Sequence, residues 1–245
     1  MIKKKFITLF LLFIFSIIRS QTNGTIIYKV RKVPDDQVKN IYTKNNIDYE
    51  ETMQKFNKYY AIASQFNFIL KFNNEESLYF WEEEMLTEDL PEYYLIRAKL
   101  LGGGMDKYYQ NKISNVKITQ GMSPFSREME REKSSLYNNP KWKITEERDI
   151  ILGYPVIKAI YKNVEVWFTP DITLPFGPAG YGGLPGLILK KKFIKQFPAT
   201  EIVADKIIFT KDKIKIKKPK KGILRTKEAA DSIRRKRLAK EMLMH

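Results

Sequence analysis

The 245-residue sequence contains no cysteine, and its one histidine is His245. Without cysteine there is no disulfide framework, no thiol nucleophile and no cysteine-bound metal. The near absence of histidine also excludes serine–histidine and cysteine–histidine catalysis and the ordinary zinc sites. Carboxylate pairs and calcium sites built from oxygen ligands survive this exclusion. From the sequence we therefore assign no catalytic residue, no metal site and no cofactor, and we favour a protein without enzymatic activity.

The chain also lacks an apolar run long enough to cross a membrane. Its one long apolar stretch, residues 6–18, is shorter than the roughly 20 residues that a membrane-spanning helix requires. Residues 3–5 are lysines, and Ser20 and Gln21 follow the apolar stretch. A basic start, a short apolar run and a small residue before a polar one are typical of a secretory signal peptide. We predict that residues 1–20 are removed, that the mature chain has no transmembrane segment, and that it is periplasmic or secreted.

Arginine is scarce in this strongly basic chain. The net charge is +16, yet 34 of the 44 basic residues are lysine, whereas arginine is the side chain that reads base edges bidentately. Residues 219–245 are basic but contain no aromatic side chain on which bases could stack. We interpret residues 219–245 as a basic C-terminal helix or tail and expect no nucleic-acid partner. Binding of nucleic acid or an anionic surface through this tail is the third reading of the function.

Short runs of β-branched and aromatic residues recur along most of the chain, with the spacing typical of an antiparallel meander. The predicted strands are residues 25–30, 66–72, 77–81, 105–110, 115–119, 141–147, 150–154, 156–161, 164–169, 187–193, 200–204, 206–210 and 214–217. The predicted helices are residues 52–64, 91–101 and 226–244. We predict a mainly β domain over residues 21–218, with the antiparallel meander forming a curved open half-barrel under a few covering helices. A β-sandwich is the alternative.

One segment, residues 170–186, concentrates proline and glycine. Its seventeen residues include four prolines and five glycines, which excludes an interior strand or a helix. Ordered loops of this length tend to be packed, functional or both. The apolar side chains of the segment predict packing against the sheet; they are Leu174, Phe176, Tyr181 and Leu184. We expect Gly183 and Gly186 to adopt positive φ. We call residues 170–186 the Gly/Pro loop.

We predict that the Gly/Pro loop and its flanks act as a structural latch that also forms one wall of a binding site. The assigned residues of this latch or ligand loop are Trp167, Pro170, Phe176, Gly177, Pro178, Gly183, Leu184, Pro185, Gly186 and Leu187. The backbone of residues 180–183 could also form an anion-binding nest, but a structural corner is favoured because no phosphate-loop Lys-Ser or Lys-Thr follows.

The string Gly183-Leu-Pro-Gly-Leu-Ile188 resembles the motif after which the GLPGLI family of exported Gram-negative bacterial proteins is named. The strings Lys-Trp-Lys-Ile at 141–144, Ile-Leu-Gly-Tyr at 151–154 and Val-Trp-Phe-Thr-Pro at 166–170 precede it in the order that such proteins show. Family members often carry a cysteine where this chain has Val156. The resemblance implies export and a β-rich domain, similar in architecture to the half-barrels of periplasmic lipoprotein carriers, but it implies no established activity.

Three weaker candidate sites are better explained by structural roles than by function. The acidic run at residues 82–84, with Glu88 and Asp89, lacks the glycine and spacing of a calcium loop and is interpreted as a solvated face. The acidic residues near position 147 are interpreted as charged turn residues rather than an acid–base pair; they are Glu146, Glu147 and Asp149. Trp142 and Trp167 are interpreted as sheet-packing residues rather than sugar platforms.

These observations favour a non-catalytic envelope module that binds an apolar ligand or a protein partner. The alternative is a carboxylate-dependent hydrolase acting on peptide or glycan. Convergent buried carboxylates in a cleft would support the hydrolase, whereas a lined apolar cavity would support the binding module.

Overall fold

The computed structural model describes residues 23–34, 48–82, 90–122, 128–137, 140–193 and 199–242. The predicted signal peptide lies outside these ranges, and so do Glu83, Glu84, Glu88 and Asp89 of the acidic run. The strands are β1 Gly24–Lys32, β2 Asn67–Phe72, β3 Glu76–Glu82, β4 Lys107–Asn111, β5 Val116–Met122, β6 Met129–Ser135, β7 Lys143–Ile151, β8 Tyr154–Tyr161, β9 Val164–Thr169, β10 Leu187–Phe193, β11 Thr200–Phe209 and β12 Ile223–Thr226. The helices are α1 Tyr49–Ala63, α2 Glu92–Leu101 and α3 Lys227–Met242, with a short 3₁₀ turn at Pro178–Gly180.

All twelve described strands belong to one open sheet in the order β12-β6-β5-β4-β3-β2-β1-β11-β10-β9-β8-β7. Strands β1 to β6 form one run of neighbours and β7 to β11 another, and the pairing of β1 with β11 joins the two. Every pair is antiparallel except β12 with β6, which is parallel. The predicted mainly β, curved and open fold is confirmed, and the β-sandwich alternative is wrong because the described strands form one sheet rather than two facing layers.

One face of the sheet carries the main core. Residues that alternate along β1 and β2 point to this face, because successive side chains on a strand point to opposite sides. They are fully or almost fully buried: Ile26, Tyr28, Val30, Phe68, Leu70 and Phe72. Helix α1 packs on this face through Met53 and Ala63, and its Tyr60 hydroxyl donates a 2.7 Å hydrogen bond to the Ala199 carbonyl. Helix α2 joins the same core through Ala98, so α1 and α2 cover this side of the sheet.

Helix α1 begins at a normal N-cap: the Asp48 carboxylate accepts a hydrogen bond from the Glu51 amide. A short polar side chain at this position satisfies one of the free amides of the first turn. Helix α2 ends at Gly102, and Gly103 and Gly104 then adopt φ of 111° and 85°, values that favour glycine over any other residue. The run of three glycines thus turns the chain from α2 into β4.

The structure corrects several predicted strand boundaries. The predicted strand 141–147 and the start of the predicted strand 150–154 form one strand, β7, with a register shift between Ile144 and Arg148. The rest of the predicted strand 150–154 is the turn at Leu152 and Gly153 and the first residue of β8. The acidic residues near position 147 therefore lie within a strand rather than at a turn. Likewise, β11 is continuous through the predicted break at residue 205, because a bulge opposite Ile27 and Tyr28 absorbs the extra residue.

The sequence analysis did not predict strands β6 and β12, and the strand that it predicted at residues 214–217 does not form. Strand β6 reads Met-Glu-Arg-Glu-Lys-Ser-Ser, which has no apolar alternation, and β12 has four residues. Residues 214–217 alternate isoleucine with lysine but form no strand. Whether each of these segments forms a strand depends on hydrogen bonding to a neighbouring strand. The side-chain pattern of a single segment does not predict that hydrogen bonding.

Candidate functional site

The Gly/Pro loop is held in place by its own backbone and by the strands that it joins. The Gly183 amide donates to the Pro175 carbonyl at 2.9 Å, and the Leu187 amide donates to the Ile172 carbonyl at 3.0 Å. The Ile188 amide donates to the Phe176 carbonyl at 2.9 Å. Because the Gly183 amide is engaged inside the loop, a nest of free amides at 180–183 is incomplete, and the loop is built as a packed corner.

Side chains from the sheet clamp the tip of the Gly/Pro loop. Gln110 is buried on β4, and its Nε2 donates to the carbonyls of Gly180 and Tyr181 at 3.2 Å each. Its Oε1 accepts a hydrogen bond from Ser77 of β3 at 3.3 Å. The Trp142 indole donates to the Gly182 carbonyl at 2.9 Å. Trp142 lies just before β7, and its ring also contacts the rings of Tyr161 and Tyr181.

Backbone conformation explains part of the glycine content. Gly180 and Gly183 have φ of 73° and 84°, and a Cβ on Gly183 would lie 2.6 Å from the Leu136 carbonyl oxygen. The expectation for Gly186 was wrong, since its φ is outside the positive range. Gly186 is needed for space instead: a Cβ there would lie 2.1 Å from the Thr169 carbonyl oxygen.

The residues assigned to the latch from the sequence are mostly buried around the root of the Gly/Pro loop. Phe176, Leu184 and Leu187 are core residues, whereas Pro170 and Pro185 are exposed. Trp167 is buried on β9, and the Lys190 Nζ lies 4.4 Å from its ring centroid. None of the ten assigned residues lines either of the two cavities described below.

A cavity of about 740 Å³ lies between the sheet and the helices. Its walls come from α1, α2, the turn after α2, the tip of the Gly/Pro loop and strands β4, β5, β10 and β11. The lining residues are Phe56, Tyr59, Arg97, Leu100, Leu101, Gly103, Gly104, Met105, Asp106, Tyr108, Met122, Ala179, Tyr181, Lys191, Phe193 and Thr200. Most of these side chains are aromatic or aliphatic, and a few charged groups interrupt them.

Lys191 is the most unusual of the lining residues. Its side chain is 2% exposed, and its Nζ lies 4.6 Å from the ring centroid of Tyr181 and 4.2 Å from that of Phe193. Among the described residues its ammonium has no hydrogen-bond or ion-pair partner. Burial disfavours the charged form and lowers the pKa of Lys191 to about 7.

Asp106 is the carboxylate of the same cavity. Its carboxyl group fills the space over Gly121 of β5, where a Cβ would collide with the Asp106 Oδ1. Burial raises the pKa of Asp106 to about 6. Near neutral pH the cavity therefore holds a lysine that releases its proton easily and an aspartate that accepts one easily.

Two tyrosines fix the glycine turn that forms the wall beside Asp106. The Tyr79 hydroxyl donates to the Gly102 carbonyl at 2.7 Å, and the Tyr108 hydroxyl donates to the Gly103 carbonyl at 2.7 Å. A Cβ on Gly103 would approach the Cβ of Ala179 to 2.7 Å, so this turn touches the Gly/Pro loop directly. The wall between α2 and the Gly/Pro loop is thus packed tightly.

A smaller cavity of about 340 Å³ lies on the other side of the loop tip. It shares Ala179 and Tyr181 with the larger cavity, and its other lining residues are Lys117, Glu132, Ser134, Pro140, Tyr161, Lys162, Gly180 and Lys227. Burial lowers the pKa of Lys117, which Glu132 partly opposes. This smaller cavity has few apolar side chains in its lining, in contrast to the larger one.

Sequence reasoning thus selected the Gly/Pro loop but missed the residues that reach the larger cavity. Ala179 was not singled out, and Tyr181 was predicted only to pack against the sheet, yet both line the larger cavity. Lys191 belongs to the run Lys190-Lys-Lys192 inside a predicted buried strand. Because a strand alternates its faces, one of three consecutive lysines must point opposite to the other two, and this signal was available. The described residues contain no group of three or more acidic or histidine side chains placed to hold a metal ion.

Comparison with known proteins finds structures with a similar fold and a family of unknown function, and it identifies no activity. A family described as "Protein of unknown function (Porph_ging)" matches residues 160–190, and no curated protein matches the chain. Solved structures of PNGF-II in the C2 and P21 space groups are similar to this chain, with a TM-score of 0.52 and 18% identity in both cases. The similarity covers 86% of this chain but only 32% and 33% of PNGF-II. Within the described residues, no helix has the length and apolar character that crossing a membrane requires.

Proposed function

We propose that this chain is an exported envelope protein that binds a small apolar ligand in the larger cavity and performs no catalysis. The observation that carries the proposal is the cavity itself. Its volume of about 740 Å³ falls in the range of roughly 300–1,000 Å³ that is usual for small-molecule sites. Its walls combine many apolar side chains with a few polar ones, which is the usual composition of such sites.

The charged groups of the cavity favour binding over hydrolysis. Asp106 is the one carboxylate among the described residues that line it, whereas carboxylate-dependent hydrolysis of a glycan uses a facing pair. The acidic residues near position 147 give no second group, because they lie on β7, at the far edge of the sheet. The similarity to PNGF-II supports a shared fold and carries no activity to this chain.

Export and membership of the GLPGLI family form part of the same proposal. The family match at residues 160–190 spans the string Gly183-Leu-Pro-Gly-Leu-Ile188. The apolar run at residues 6–18 supports a signal peptide with removal near Ser20 and Gln21. Mass analysis of the protein purified from its native host should find a mature chain that begins at Gln21, and recovery of an intact Met1 would contradict export.

Ligand binding is tested with the neutral apolar dye N-phenyl-1-naphthylamine, whose fluorescence increases in apolar surroundings. We expect the dye to bind and Met105→Asp to weaken its binding about tenfold or more, since a ligand against this wall would have to desolvate a carboxylate. Met105 is exposed at the cavity wall, so the fold should tolerate the change. Ile113→Asp is the matched control, because Ile113 is also exposed but lines neither cavity. Equal weakening in both variants, or no dye binding at all, would contradict the proposal.

A further inference from the structure

The three lysines of β10 divide between the two faces of the sheet. The Lys190 and Lys192 ammonium groups lie 3.6 Å and 3.8 Å from the Glu201 carboxylate on one face. Lys191 points to the opposite face, where it pairs across the sheet with Val166 and Ile202. The two lysines on the first face have an anionic partner, and the lysine inside the cavity has none among the described residues.

A buried amine without a partner is costly for the fold. An ammonium loses its hydration on burial, and the two aromatic rings beside Lys191 replace only part of that interaction. The residues that pair with Lys191 on the two adjacent strands, Val166 and Ile202, are apolar and fully buried, so an apolar side chain at position 191 would extend the core. The position of a lysine here therefore indicates a partner that enters the cavity from outside.

The other charges of the cavity limit what that partner can be. The remaining titratable or charged lining groups are Tyr59, Arg97, Asp106, Tyr108 and Tyr181. Tyr181 also faces the smaller cavity, whose charged groups are Lys117, Glu132, Lys162 and Lys227. Arg97 is exposed on α2, so Lys191 is the one cation buried in the larger cavity among the described residues. One buried cation in a cavity that also contains one carboxylate suits a ligand head with a single negative charge and disfavours a doubly charged phosphate.

We propose that the apolar ligand carries one carboxylate and that Lys191 binds this carboxylate as its counter-ion. This inference rests on the proposed function, since it requires the larger cavity to be a ligand site. The aromatic and aliphatic walls hold the apolar body, and the ammonium donates hydrogen bonds to the carboxylate. Binding at neutral or higher pH takes up a proton, because the free amine has a pKa of about 7 and the bound carboxylate favours the charged form.

The experiment compares decanoate with decanol as competitors for the bound dye. The two have chains of equal length and differ in the charge of the head. At about pH 6 we expect wild-type protein to prefer decanoate by about tenfold, the size expected for one charged hydrogen bond. Above about pH 7 the affinity for decanoate should decrease by up to tenfold per pH unit as Lys191 loses its proton. Ionisation of Asp106 above about pH 6 repels an anion and acts in the same direction.

Lys191→Met should remove the preference for decanoate and the part of the pH dependence that Lys191 contributes above pH 7, and should leave only the effect of Asp106 ionisation near pH 6, while decanol still binds. Lys190→Met is the matched control, because its position is adjacent and its charge lies on the other face, and it should keep the preference. Equal binding of decanoate and decanol to the wild type would overturn the carboxylate inference and leave the apolar site standing. Failure of both competitors and of the dye would overturn the apolar site itself. The pH series on the wild type tests the inference without any variant.

Discussion

Lys191 and Lys190 are adjacent in sequence and differ in what the fold does to their charge. Lys190 lies 3.6 Å from Glu201 and against the ring of Trp167. Lys191 is buried against two rings, and burial lowers its pKa to about 7 from the usual 10.5. The unfolded chain holds the proton up to about pH 10.5, whereas the folded chain releases it near pH 7. Between these pH values the unfolded state binds more protons than the folded state. The buried lysine therefore destabilises the fold less as the pH rises, and the free energy of unfolding increases.

We therefore expect Lys191→Met to stabilise the ligand-free protein, by about 2–4 kcal/mol below pH 7. The gain should decrease between about pH 7 and pH 10.5 and then level off, because the lysine of both states is neutral beyond that point. Urea unfolding at a series of pH values measures the difference in free energy of unfolding. Lys190→Met should show no such trend. A Lys191→Met gain that is independent of pH would show that the buried amine keeps its usual pKa.

Gly186 shows how a residue can be identified correctly for a wrong reason. The pattern Leu184-Pro185-Gly186 suggested a turn with positive φ, but the structure gives positive φ to Gly183 and close packing to Gly186. Both constraints exclude larger side chains. The sequence shows that a glycine is present at each position. Only the three-dimensional structure shows whether the backbone conformation or the lack of space requires glycine there.

At the scale of elements, the Gly/Pro loop divides into a root that packs in the core and a tip that lines the cavity proposed to bind a ligand. Its root, with Phe176, Leu184 and Leu187, packs in the core. Its tip, with Ala179 and Tyr181, reaches both cavities. The structural latch predicted from the sequence remains a proposal, and it now applies to the root of the loop. The wall of the proposed binding site is assigned to the tip instead.

This division predicts that Leu184→Ala and Gly186→Val lower stability and leave ligand binding intact. Leu184→Ala should cost about 2–5 kcal/mol, as for other buried leucines. Gly186→Val should lower the melting temperature because its side chain would collide with the Thr169 carbonyl. Thermal melting and dye binding well below the melting temperature provide the two measurements. Variants that melt like the wild type but no longer bind the dye would show that the root is a recognition element rather than a latch.

The sequence predicted the positions of the three helices and of most strands because their signals are local. The alternation of apolar residues in a strand and their spacing in a helix depend on neighbours along the chain. The cavity depends on which face of the sheet α1 and α2 cover, and this is a tertiary property. The alternation of β10 places Lys191 on the face opposite to Lys190 and Lys192. The sequence alone does not say which of these two faces the helices cover, and therefore which lysine is buried.

At the scale of the whole molecule, the sheet has two edges of different character. Strand β7 is the edge at one end, and its mostly exposed, charged side chains discourage pairing with another chain. At the other end, β12 covers β6 in the one parallel pair. Residues 219–245, interpreted from the sequence as a helix or tail, therefore contribute a strand to the sheet.

Several contacts hold β12 and the residues before it against the sheet. The Arg225 guanidinium lies 3.1 Å from the Glu130 carboxylate. The Gln120 side chain donates to the Lys221 carbonyl at 2.7 Å, and Arg131 donates to the Gly222 carbonyl at 3.1 Å. These bonds lie near the surface and each contributes modestly, but together they cover the edge of β6.

Two truncated chains separate the contribution of β12 from that of α3. A chain ending at Thr226 keeps β12 and loses α3, and it should melt within about 2 °C of the full chain because α3 is strongly polar. A chain ending at Lys218 loses β12 as well, which removes the Arg225–Glu130 pair and exposes the backbone edge of β6. We expect its melting temperature to be about 5 °C lower and its tendency to associate to be greater, since an uncovered edge can pair with a second chain. Differential scanning calorimetry and light scattering on the same samples measure both effects. If the Lys218 chain melts like the full chain and stays monomeric, residues 219–245 are a separable tail and the parallel pairing of β12 contributes nothing to the fold.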